Sequence, residues 1–448
     1  MDLDDVELLA SDQGRHLVGQ LATQMPRYDA GLALRLIEGL RARGVEAKLA
    51  AAALTQVRLR ERARAKFGQF ADQMLFTDQG LQQATRLDVA AHHAQRFLAA
   101  GARQVADLTG GIGGDALAMA ALGLRVTVFE RDPVTAAIAR ANLAAFPEAQ
   151  VIQADSLEAD LASQDALWAD PSRRRQGGRR VFDPEAWEPP LGALAALARG
   201  RPAGIKVAPG IAHRAIPEGA EAQWTSQDGE VVEAALWFGP LRSAPTPSGP
   251  PQGAPTPPPG AAPPGGPTGS AATSSGPPPG AAPGNAPPAC APARSALVIR
   301  QGRAHHLLRD AAPRLPAGRI GQHIYEPDGA VIRASLLQQA AAPLAEPRLV
   351  HPRIAYITSD TRLGQNPFLT GYSVEETFPF SLARLRAWAR ANGIGQLVVK
   401  KRGTAVDPAD LLKRLDLKGE AAAWVILTRL GAAQSVLVVK PHLAPGRQ

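Results

Sequence analysis

Four short apolar segments in the first half of the chain each end at an acidic residue. In chain order these residues are Asp107, Glu130, Asp155 and Asp170. Segments this short and this apolar are typical of buried strands in a parallel sheet. Because ligands of open α/β sheets bind at the carboxyl ends of the strands, we expect the four carboxylates to face a common site.

The first of these segments leads into a glycine-rich turn. Residues 105–120 have the sequence VADLTGGIGGDALAMA, in which an apolar strand precedes Gly110, Gly111, Gly113 and Gly114 and an alanine-rich helix follows them. A strand, a glycine turn and a helix in this order have the shape of a nucleotide-binding loop, since glycines let the backbone approach a ligand closely. A turn that binds no ligand is the alternative.

The charges beside the turn restrict the ligand. A phosphate site requires an uncluttered positive helix end, whereas Asp107 and Asp115 place two carboxylates beside this turn. They would repel a pyrophosphate but suit a ligand that carries an amino group and a sulfonium. The predicted ligand is therefore S-adenosylmethionine (SAM).

The next two acidic residues fit the rest of this ligand. Glu130 follows the predicted strand 125–129 and lies 23 positions after Asp107, close to the spacing of about 20 residues at which a carboxylate holds a ribose diol. Asp155 follows the predicted strand 151–154 and is placed to accept a hydrogen bond from the adenine amine. The alternatives are an ordinary exposed acid for Glu130 and a helix cap for Asp155.

On these features, residues 105–175 resemble the class I SAM-dependent methyltransferases. The resemblance implies an α/β protein with a Rossmann-like methyltransferase sheet and SAM as its cofactor. It also implies that the cofactor is bound by residues of the first three strand ends, namely Asp107, Gly110, Gly111, Gly113, Asp115, Glu130 and Asp155.

The fourth strand end, 166–169, is where the methyl acceptor is expected. Methyl transfer from a sulfonium is an in-line displacement, so the enzyme mainly positions the acceptor, which supplies roughly 7–11 kcal/mol. An exocyclic base amine also needs an acceptor for its protons. Asp170 and the carbonyls around Pro171 are predicted to supply it, and a helix cap is the alternative for Asp170.

The residues that follow the fourth strand form the corner of the site that starts at Asp170. In amino-methyltransferases the motif at this corner is Asp-Pro-Pro or Asn-Pro-Pro, followed by an aromatic residue that stacks on the base. Here Ser172 and Arg173 follow Pro171. Arg173 is predicted to stack on a base or to bind phosphate with Arg174 and Arg175, and a solvated arginine cluster is the alternative. The acceptor atom therefore stays open.

The composition of the whole chain limits the class of protein. A length of 448 residues predicts two to four domains. The single cysteine, Cys290, excludes a disulfide framework and fits a reducing cytoplasm. Runs of about 18 apolar residues, which a membrane span needs, are absent, and the acidic first ten residues do not resemble a secretory signal. A net charge of +8 is compatible with RNA as a partner.

The flanking regions differ from the predicted sheet. Residues 1–100 are predicted to be helical, and their last part is expected either to fold over the methionine end of SAM, through 76–77 and 82–85, or to form a helical cap. A methyltransferase domain is expected over 101–302, with a hairpin of strands 222–226 and 231–238.

A segment at about 243–293 consists almost only of Pro, Gly, Ala, Ser and Thr and is predicted to be disordered. The strand predicted at 296–300 indicates that the segment is a long loop between two strands of one sheet, because the cost of loop closure rises by only about 0.6 kcal/mol per doubling of length. A linker between domains is the alternative.

Residues 317–441 are predicted to form an α+β domain with strands at 354–358, 374–380, 397–401, 424–428 and 435–439 and helices at 381–392 and 408–415. The stretches 321–328, 330–333 and 400–403 resemble the THUMP-like domain found after bacterial methyltransferases. True THUMP domains bind RNA, so the resemblance implies an RNA substrate such as tRNA or rRNA.

Other polar residues are less specific. Lys206 is either a residue that reaches the substrate or a structural lysine, and Lys400, Lys401 and Arg402 either hold phosphates or are plain surface. The pairs 92–93 and 305–306 are histidines without metal-ligand spacing, so no metal is expected.

The sequence favours a SAM-dependent methyltransferase of RNA that acts on a base amine. A small-molecule or protein acceptor, or a non-catalytic protein that binds SAM and RNA, are the alternatives. The oligomeric state stays open.

Overall fold

The computed structural model describes residues 1–173, 181–242, 293–310 and 313–442. Arg174, Arg175 and nearly all of the predicted disordered segment at 243–293 lie outside the described residues.

Residues 1–100 form helices, as predicted. Their bounds are Leu3–Ala10 (α1), Asp12–Gln24 (α2), Ala30–Ala42 (α3), Ala47–Phe67 (α4), Asp78–Gln83 (α5) and Leu87–Ala99 (α6), with a 3-10 helix at Gly68–Asp72. The side chains of Asp2, Ser11, Asp29 and Thr77 each accept a hydrogen bond from a backbone N–H in the first turn of the helix that follows. These caps satisfy donors that a helix start would otherwise leave unpaired.

The central unit is a nine-stranded sheet. Its strands are Gln104–Asp107 (β1), Arg125–Phe129 (β2), Ala149–Ile152 (β3), Ala166–Ala169 (β4), Ala203–Val207 (β5), Glu221–Gln227 (β6), Glu230–Phe238 (β7), Ala293–Arg300 (β8) and Arg303–Leu308 (β9). Its described helices are Gly114–Ala121 (α7), Pro133–Leu143 (α8) and Leu191–Leu197 (α9).

The strand order is β3-β2-β1-β4-β5-β7-β6-β8-β9. The strands β1 to β5 pair in parallel, and β7 is antiparallel to both of its neighbours. The order reverses between β1 and β4, and such a switch point is where ligands of open sheets bind. The predicted Rossmann-like sheet is thus present, with its switch point at the glycine turn.

The strands on either side of the unusual Pro/Gly/Ala-rich segment belong to this same sheet. Glu221 of β6 pairs with Trp237 near the end of β7 and with Ala293 at the start of β8. The chain therefore leaves the sheet and returns to it only about 10 Å away, which is two strand spacings.

A second sheet of seven strands follows. Its strands are His323–Pro327 (β10), Arg348–His351 (β11), Ile354–Ser359 (β12), Leu369–Pro379 (β13), Ile394–Lys401 (β14), Ala421–Leu430 (β15) and Ala433–Pro441 (β16), in the order β11-β12-β10-β13-β16-β15-β14. Its helices are Gly329–Ala334 (α10), Leu337–Ala341 (α11), Leu382–Ala391 (α12) and Pro408–Leu415 (α13). Sequence analysis did not predict β10 as a strand, because His323, Glu326 and Pro327 interrupt its apolar pattern.

The two sheets share a hydrophobic core through α10. Val331 and Ala334 of this helix lie in the same buried cluster as Trp224 of β6 and Val298 of β8. A polar contact reinforces this packing. Arg300, at the end of β8 in the first sheet, donates a hydrogen bond at 2.7 Å to the carbonyl of Pro367, which lies just before β13 of the second sheet. The second sheet is therefore packed against the first.

Asn142 of α8 connects the helical region to the glycine turn. Its Oδ1 accepts a hydrogen bond from the backbone N–H of Leu75 at 2.6 Å, and its Nδ2 donates to the carbonyls of Leu75 and Ile112 at 3.1 and 2.8 Å. Because all of these groups are buried, the contact fixes the segment before α5 against the turn.

We expect Asn142→Ala to lower the free energy of unfolding by about 1–3 kcal/mol, because it leaves the backbone groups of Leu75 and Ile112 buried without partners. Urea denaturation measures this change. The matched control is Asn392→Ala, which removes an exposed amide that donates to the carbonyl of Trp388 and should cost no more than about 0.5 kcal/mol. Equal effects of the two substitutions would contradict this account of Asn142.

Candidate functional site

The sheet gathers acidic side chains at the switch point between β1 and β4. Asp107 ends β1, Glu130 follows β2 and Asp170 follows β4, while Asp115 lies in the first turn of α7. The other three carboxyls all raise the pKa of Asp107 electrostatically. The structure thus brings together four of the five acidic residues singled out in the sequence.

The glycine turn is shaped by close contacts that only glycine permits. A Cβ atom on Gly110 would lie 2.1 Å from Cγ1 of Val128 on the neighbouring strand. Gly111 and Gly113 have φ angles of +52° and +83°, in the left-handed region that side chains other than glycine disfavour. These contacts and φ angles define the turn at the start of α7, which we call the glycine cradle.

Glu130 is tied directly to this cradle. One of its carboxylate oxygens accepts a hydrogen bond from the backbone N–H of Gly111 at 2.9 Å, and the other accepts from the N–H of Asp132 at 2.8 Å. Burial raises the pKa of the half-buried Glu130 carboxyl. Each oxygen keeps a second lone pair, which leaves the carboxylate able to accept from a ligand's hydroxyls.

Asp107 is almost fully buried and accepts a hydrogen bond from the N–H of Thr109 at 3.1 Å. Its burial raises its pKa well above the ordinary range, and the nearby carboxylates act in the same direction. A cationic ligand would relieve this accumulation of acidic groups, whereas a phosphate would increase it.

Asp170 lies at the end of β4 beside the turn. Its backbone N–H donates to the hydroxyl of Thr109, and its Oδ2 accepts from Nζ of Lys206 at 2.7 Å. Its Oδ1 has no hydrogen-bond partner among the described residues. The side chain of Asp170 keeps 31% of its exposure, against 12% for that of Lys206, so the carboxylate is the accessible member of the pair.

Behind Asp170 a chain of buried polar groups runs into the protein. Lys206 also donates to the hydroxyl of Thr85 at 2.9 Å, and this hydroxyl donates to Asp115 at 2.8 Å. His93 lies between two carboxylates, with Nδ1 3.2 Å from Asp115 and Nε2 2.6 Å from Glu233.

The charges of these hydrogen-bonded polar side chains balance one another. Burial alone would lower the pKa of His93, but the carboxylates of Glu233 and Asp115 raise it to about 9. Burial would likewise lower the pKa of Lys206, whereas Asp170, Glu233 and Asp115 raise it above its ordinary value. Both bases are therefore cations at neutral pH.

The segment at residues 74–85 closes one side of the site. Phe76 is fully buried, and its ring packs at a tilt against that of Phe67, with 5.6 Å between the ring centroids, so it belongs to the helical core. Lys66 of α4 donates to the carbonyls of Leu81, Gln82 and Ala84, which hold the end of α5 in place. Of the residues expected to face the cofactor, Thr85 is the one that contacts the acidic cluster.

Two predicted residues lie apart from this cluster. The strand before Asp155 ends at Ile152, and the side chain of Asp155 is exposed and accepts from the N–H of Leu157 at 2.9 Å. The alternative prediction, that Asp155 caps a helix, is wrong, because a turn and not a helix follows Asp155. Arg173 lies at the border of the described residues, where its carbonyl accepts from the N–H of Val181, and its possible partners Arg174 and Arg175 lie outside them.

Sequence analysis missed His93 and Glu233 as parts of the site, whereas Thr85 lies in the stretch 82–85 that was expected to face the cofactor. One signal was available for Glu233, which is an acidic residue inside the apolar run VVEAALWF of β7. A buried carboxylate needs a cationic partner, but the sequence did not show that this partner is His93.

The described residues fit SAM as a cofactor. Gly110, Gly111 and Gly113 build the turn at the switch point of the sheet. The carboxylate of Glu130 keeps lone pairs that would accept from ribose hydroxyls, and the acidic residues around Asp107 suit a ligand with an ammonium and a sulfonium. Within the described ranges, no helix is long and apolar enough to cross a membrane, and no group of three or more His, Cys, Asp or Glu residues is arranged to hold a metal ion.

Models of three protein families match parts of this chain. The family “Putative SAM-dependent methyltransferase” matches residues 79–169, which include the glycine turn, Glu130 and Asp155 but not Asp170. The family “THUMP domain-like” matches residues 369–441, and a family of unknown function matches residues 2–63. The stretch 400–403 lies inside the THUMP-like match, whereas 321–333 lies before it.

Individual relatives extend the similarity over most of the chain. The crystal structure of a “putative methyltransferase” from Porphyromonas gingivalis W83 has a TM-score of 0.62 and 18% identity, and the match covers 92% of this chain and 98% of that one, which supports the same fold. Two Mycobacterium tuberculosis proteins, from strains CDC 1551 / Oshkosh and H37Rv, carry the description “Uncharacterized S-adenosylmethionine-dependent methyltransferase”. Each is 34% identical over 399 residues, which are 87% of this chain and 95% of the relative. The protein described here therefore belongs to the SAM-dependent methyltransferases.

Proposed function

We propose that this enzyme methylates a base amine of RNA, such as a tRNA or an rRNA, and that the C-terminal domain holds the RNA. The observation that carries the proposal is Asp170, a partly exposed carboxylate at the end of β4 whose Oδ1 has no partner among the described residues. In this proposal residues 101–302 form the catalytic domain, 1–100 a helical region and 317–441 the RNA-binding domain.

The cofactor supplies the methyl group and a good leaving group. Asp107, Gly110, Gly111, Gly113, Asp115, Glu130 and Asp155 are the proposed cofactor-binding residues. For Asp115, each oxygen already accepts one hydrogen bond, from Thr85 or His93, and keeps a second lone pair for the cofactor's ammonium.

Asp170 then acts on the acceptor. An exocyclic amine has its lone pair delocalised into the base, and a carboxylate that accepts its N–H makes the nitrogen more nucleophilic. Nearby carboxylates stabilise the positive charge that develops on that nitrogen. The carbonyl of Pro171 and the guanidinium of Arg173 are proposed to position the base at the same corner.

The RNA-binding part of the proposal rests on the THUMP-like domain and its charge. Exposed cations on α12 and α13 include Arg384, Arg390 and Lys413, and a groove between the ends of these helices is lined by Arg386, Arg390 and Lys418. Lys400 and Arg402 are engaged within the domain, because both pair with Glu326, and Lys418 of the groove pairs with Asp416. Phosphate binding is therefore assigned to the α12 and α13 surface.

One observation favours a second candidate function. Ser172 and Arg173 occupy the positions at which amino-methyltransferases carry a proline and a stacking aromatic residue. A small molecule or a protein would not require that aromatic surface, so either is the alternative acceptor.

We expect Glu130→Ala to weaken SAM binding about 10–100-fold, because it removes a charge-assisted hydrogen bond worth roughly 1.5–3 kcal/mol. Calorimetric titration with SAM measures the change. Glu148→Ala is the matched control, since Glu148 is an exposed acid in the same sheet region that pairs with Arg125. Unchanged SAM affinity in Glu130→Ala would remove the ribose assignment.

We expect Asp170→Asn to lower the rate of methyl transfer about 10²–10⁴-fold, because the amide is a poor proton acceptor. The assay uses labelled SAM and separated RNA, protein and small molecules from a strain that lacks this gene. Label in RNA that disappears with Asp170→Asn supports the proposed function, label confined to another fraction supports the second candidate, and no label despite SAM binding indicates a non-catalytic protein.

We expect RNA affinity to depend steeply on salt, with log K falling by about 0.7–0.9 per phosphate contact for each tenfold rise in salt. The triple substitution of Arg384, Arg390 and Lys413 by Gln should weaken binding and flatten this slope. Filter binding at several salt concentrations measures both quantities. A control triple substitution of Arg15, Arg41 and Arg43 by Gln, on the N-terminal helices, should leave the slope unchanged, and an equal effect would contradict the assigned surface.

A further inference from the structure

Lys206 is the only basic side chain among the described residues that the structure shows hydrogen-bonded to Asp170. It comes from β5, the strand next to β4, and reaches Asp170 because the two parallel strands end at the same edge of the sheet. Its ammonium has two hydrogen bonds to side chains, one to Asp170 and one to Thr85. A lysine held at two points has little freedom to move away from the carboxylate.

The surroundings of this pair are rich in acidic groups. Asp107 on β1, Asp115 on α7 and Glu233 on β7 all interact electrostatically with Asp170 or Lys206. Among the described residues, the other cations nearby are His93 on α6, which pairs with Asp115 and Glu233, and Lys66 on α4, whose pKa is lowered by burial and by the charges of Lys206 and Arg86. The ion pair with Lys206 is therefore the direct compensation for the charge of Asp170.

We propose that Lys206 is a positioning residue for methyl transfer, which holds the Asp170 carboxylate ionised and aimed at the acceptor. The inference rests on the proposed role of Asp170. Lys206 acts through Oδ2 and leaves Oδ1 for the acceptor's N–H.

The direction of the pKa shifts agrees with this role. Burial raises the pKa of Asp170, and Lys206 opposes that rise. Asp170 works as a proton acceptor only when ionised, so removal of the ammonium moves the acidic limb of the rate profile to higher pH. Activity lost at neutral pH then returns in part when the pH is raised.

The test compares Lys206→Gln and Lys206→Arg with the wild-type enzyme. At neutral pH we expect Lys206→Gln to lower kcat about 10–100-fold, with an acidic limb at higher pH and unchanged SAM affinity. Lys206→Arg retains the positive charge, so the acidic limb of its pH–rate profile should lie at the wild-type pH. Lys48→Gln is the matched control, because Lys48 pairs with Asp2 at 3.2 Å on the N-terminal helices, and it should leave the profile unchanged.

A second readout is independent of the acceptor. Carbon-13 NMR of labelled aspartate carboxyls, with the Asp170 signal identified by its loss in Asp170→Asn, measures the pKa of Asp170 directly. A higher pKa in Lys206→Gln supports the inference, and an unchanged pKa overturns it. If the wild-type enzyme transfers no methyl group to total RNA, protein or small molecules, the proposed function fails while this titration still decides the effect of Lys206.

Thr85→Val covers the case in which Lys206→Gln does not fold, as judged by circular dichroism. This substitution keeps the ammonium but removes its second anchor. We expect a lower kcat with the acidic limb and SAM affinity nearly unchanged. A folded Thr85→Val enzyme with the wild-type kcat would overturn the positioning role.

Discussion

The site depends on the compensation of buried carboxylates by two buried cations. An isolated carboxylate in a protein interior costs several kcal/mol and tends to take up a proton instead. Here Lys206 pairs with Asp170, and His93 lies between Asp115 and Glu233. From the accessible Asp170 to the interior, acidic groups and cations thus alternate. The hydroxyl of Thr85 joins the Asp170–Lys206 pair to the group formed by Asp115, His93 and Glu233. This alternation offsets the cost of burying Asp170, Asp115 and Glu233 close together beside the glycine turn.

The helical N-terminal region contributes side chains to the site and also packs beside it. Thr85 and His93 both come from residues 1–100, and His93 stacks 4.4 Å from Trp168 of β4 between ring centroids. Asn142 and Lys66 hold the intervening segment against the glycine turn and the end of α5. Changes in the packing of these helices would therefore reach Asp170 through hydrogen bonds, without any contact with the cofactor.

The sheet explains how one chain accommodates both the acidic site and a long low-complexity segment. The corner at Asp170 lies at the ends of β1 and β4, where the strand order reverses, while Phe238 ends β7 and Ala293 begins β8 on the other side of β5. Since those two strands flank β6, the segment between them begins and ends at neighbouring places. Loop closure there adds little cost with length, and the strands that build the corner are unaffected.

The sequence by itself determined the local features of this protein. The glycine turn, the strands before Glu130 and Asp170 and the caps of the first helices follow from residue type and spacing, because each depends on neighbours along the chain. The acidic strand ends could be placed at one edge because parallel strands share it. Only the tertiary structure decided which charges pair, since Lys206 is 36 residues from Asp170 and Glu233 is 140 residues from His93. Such contacts depend on strand order and helix packing, and these are fixed by the burial of the whole chain.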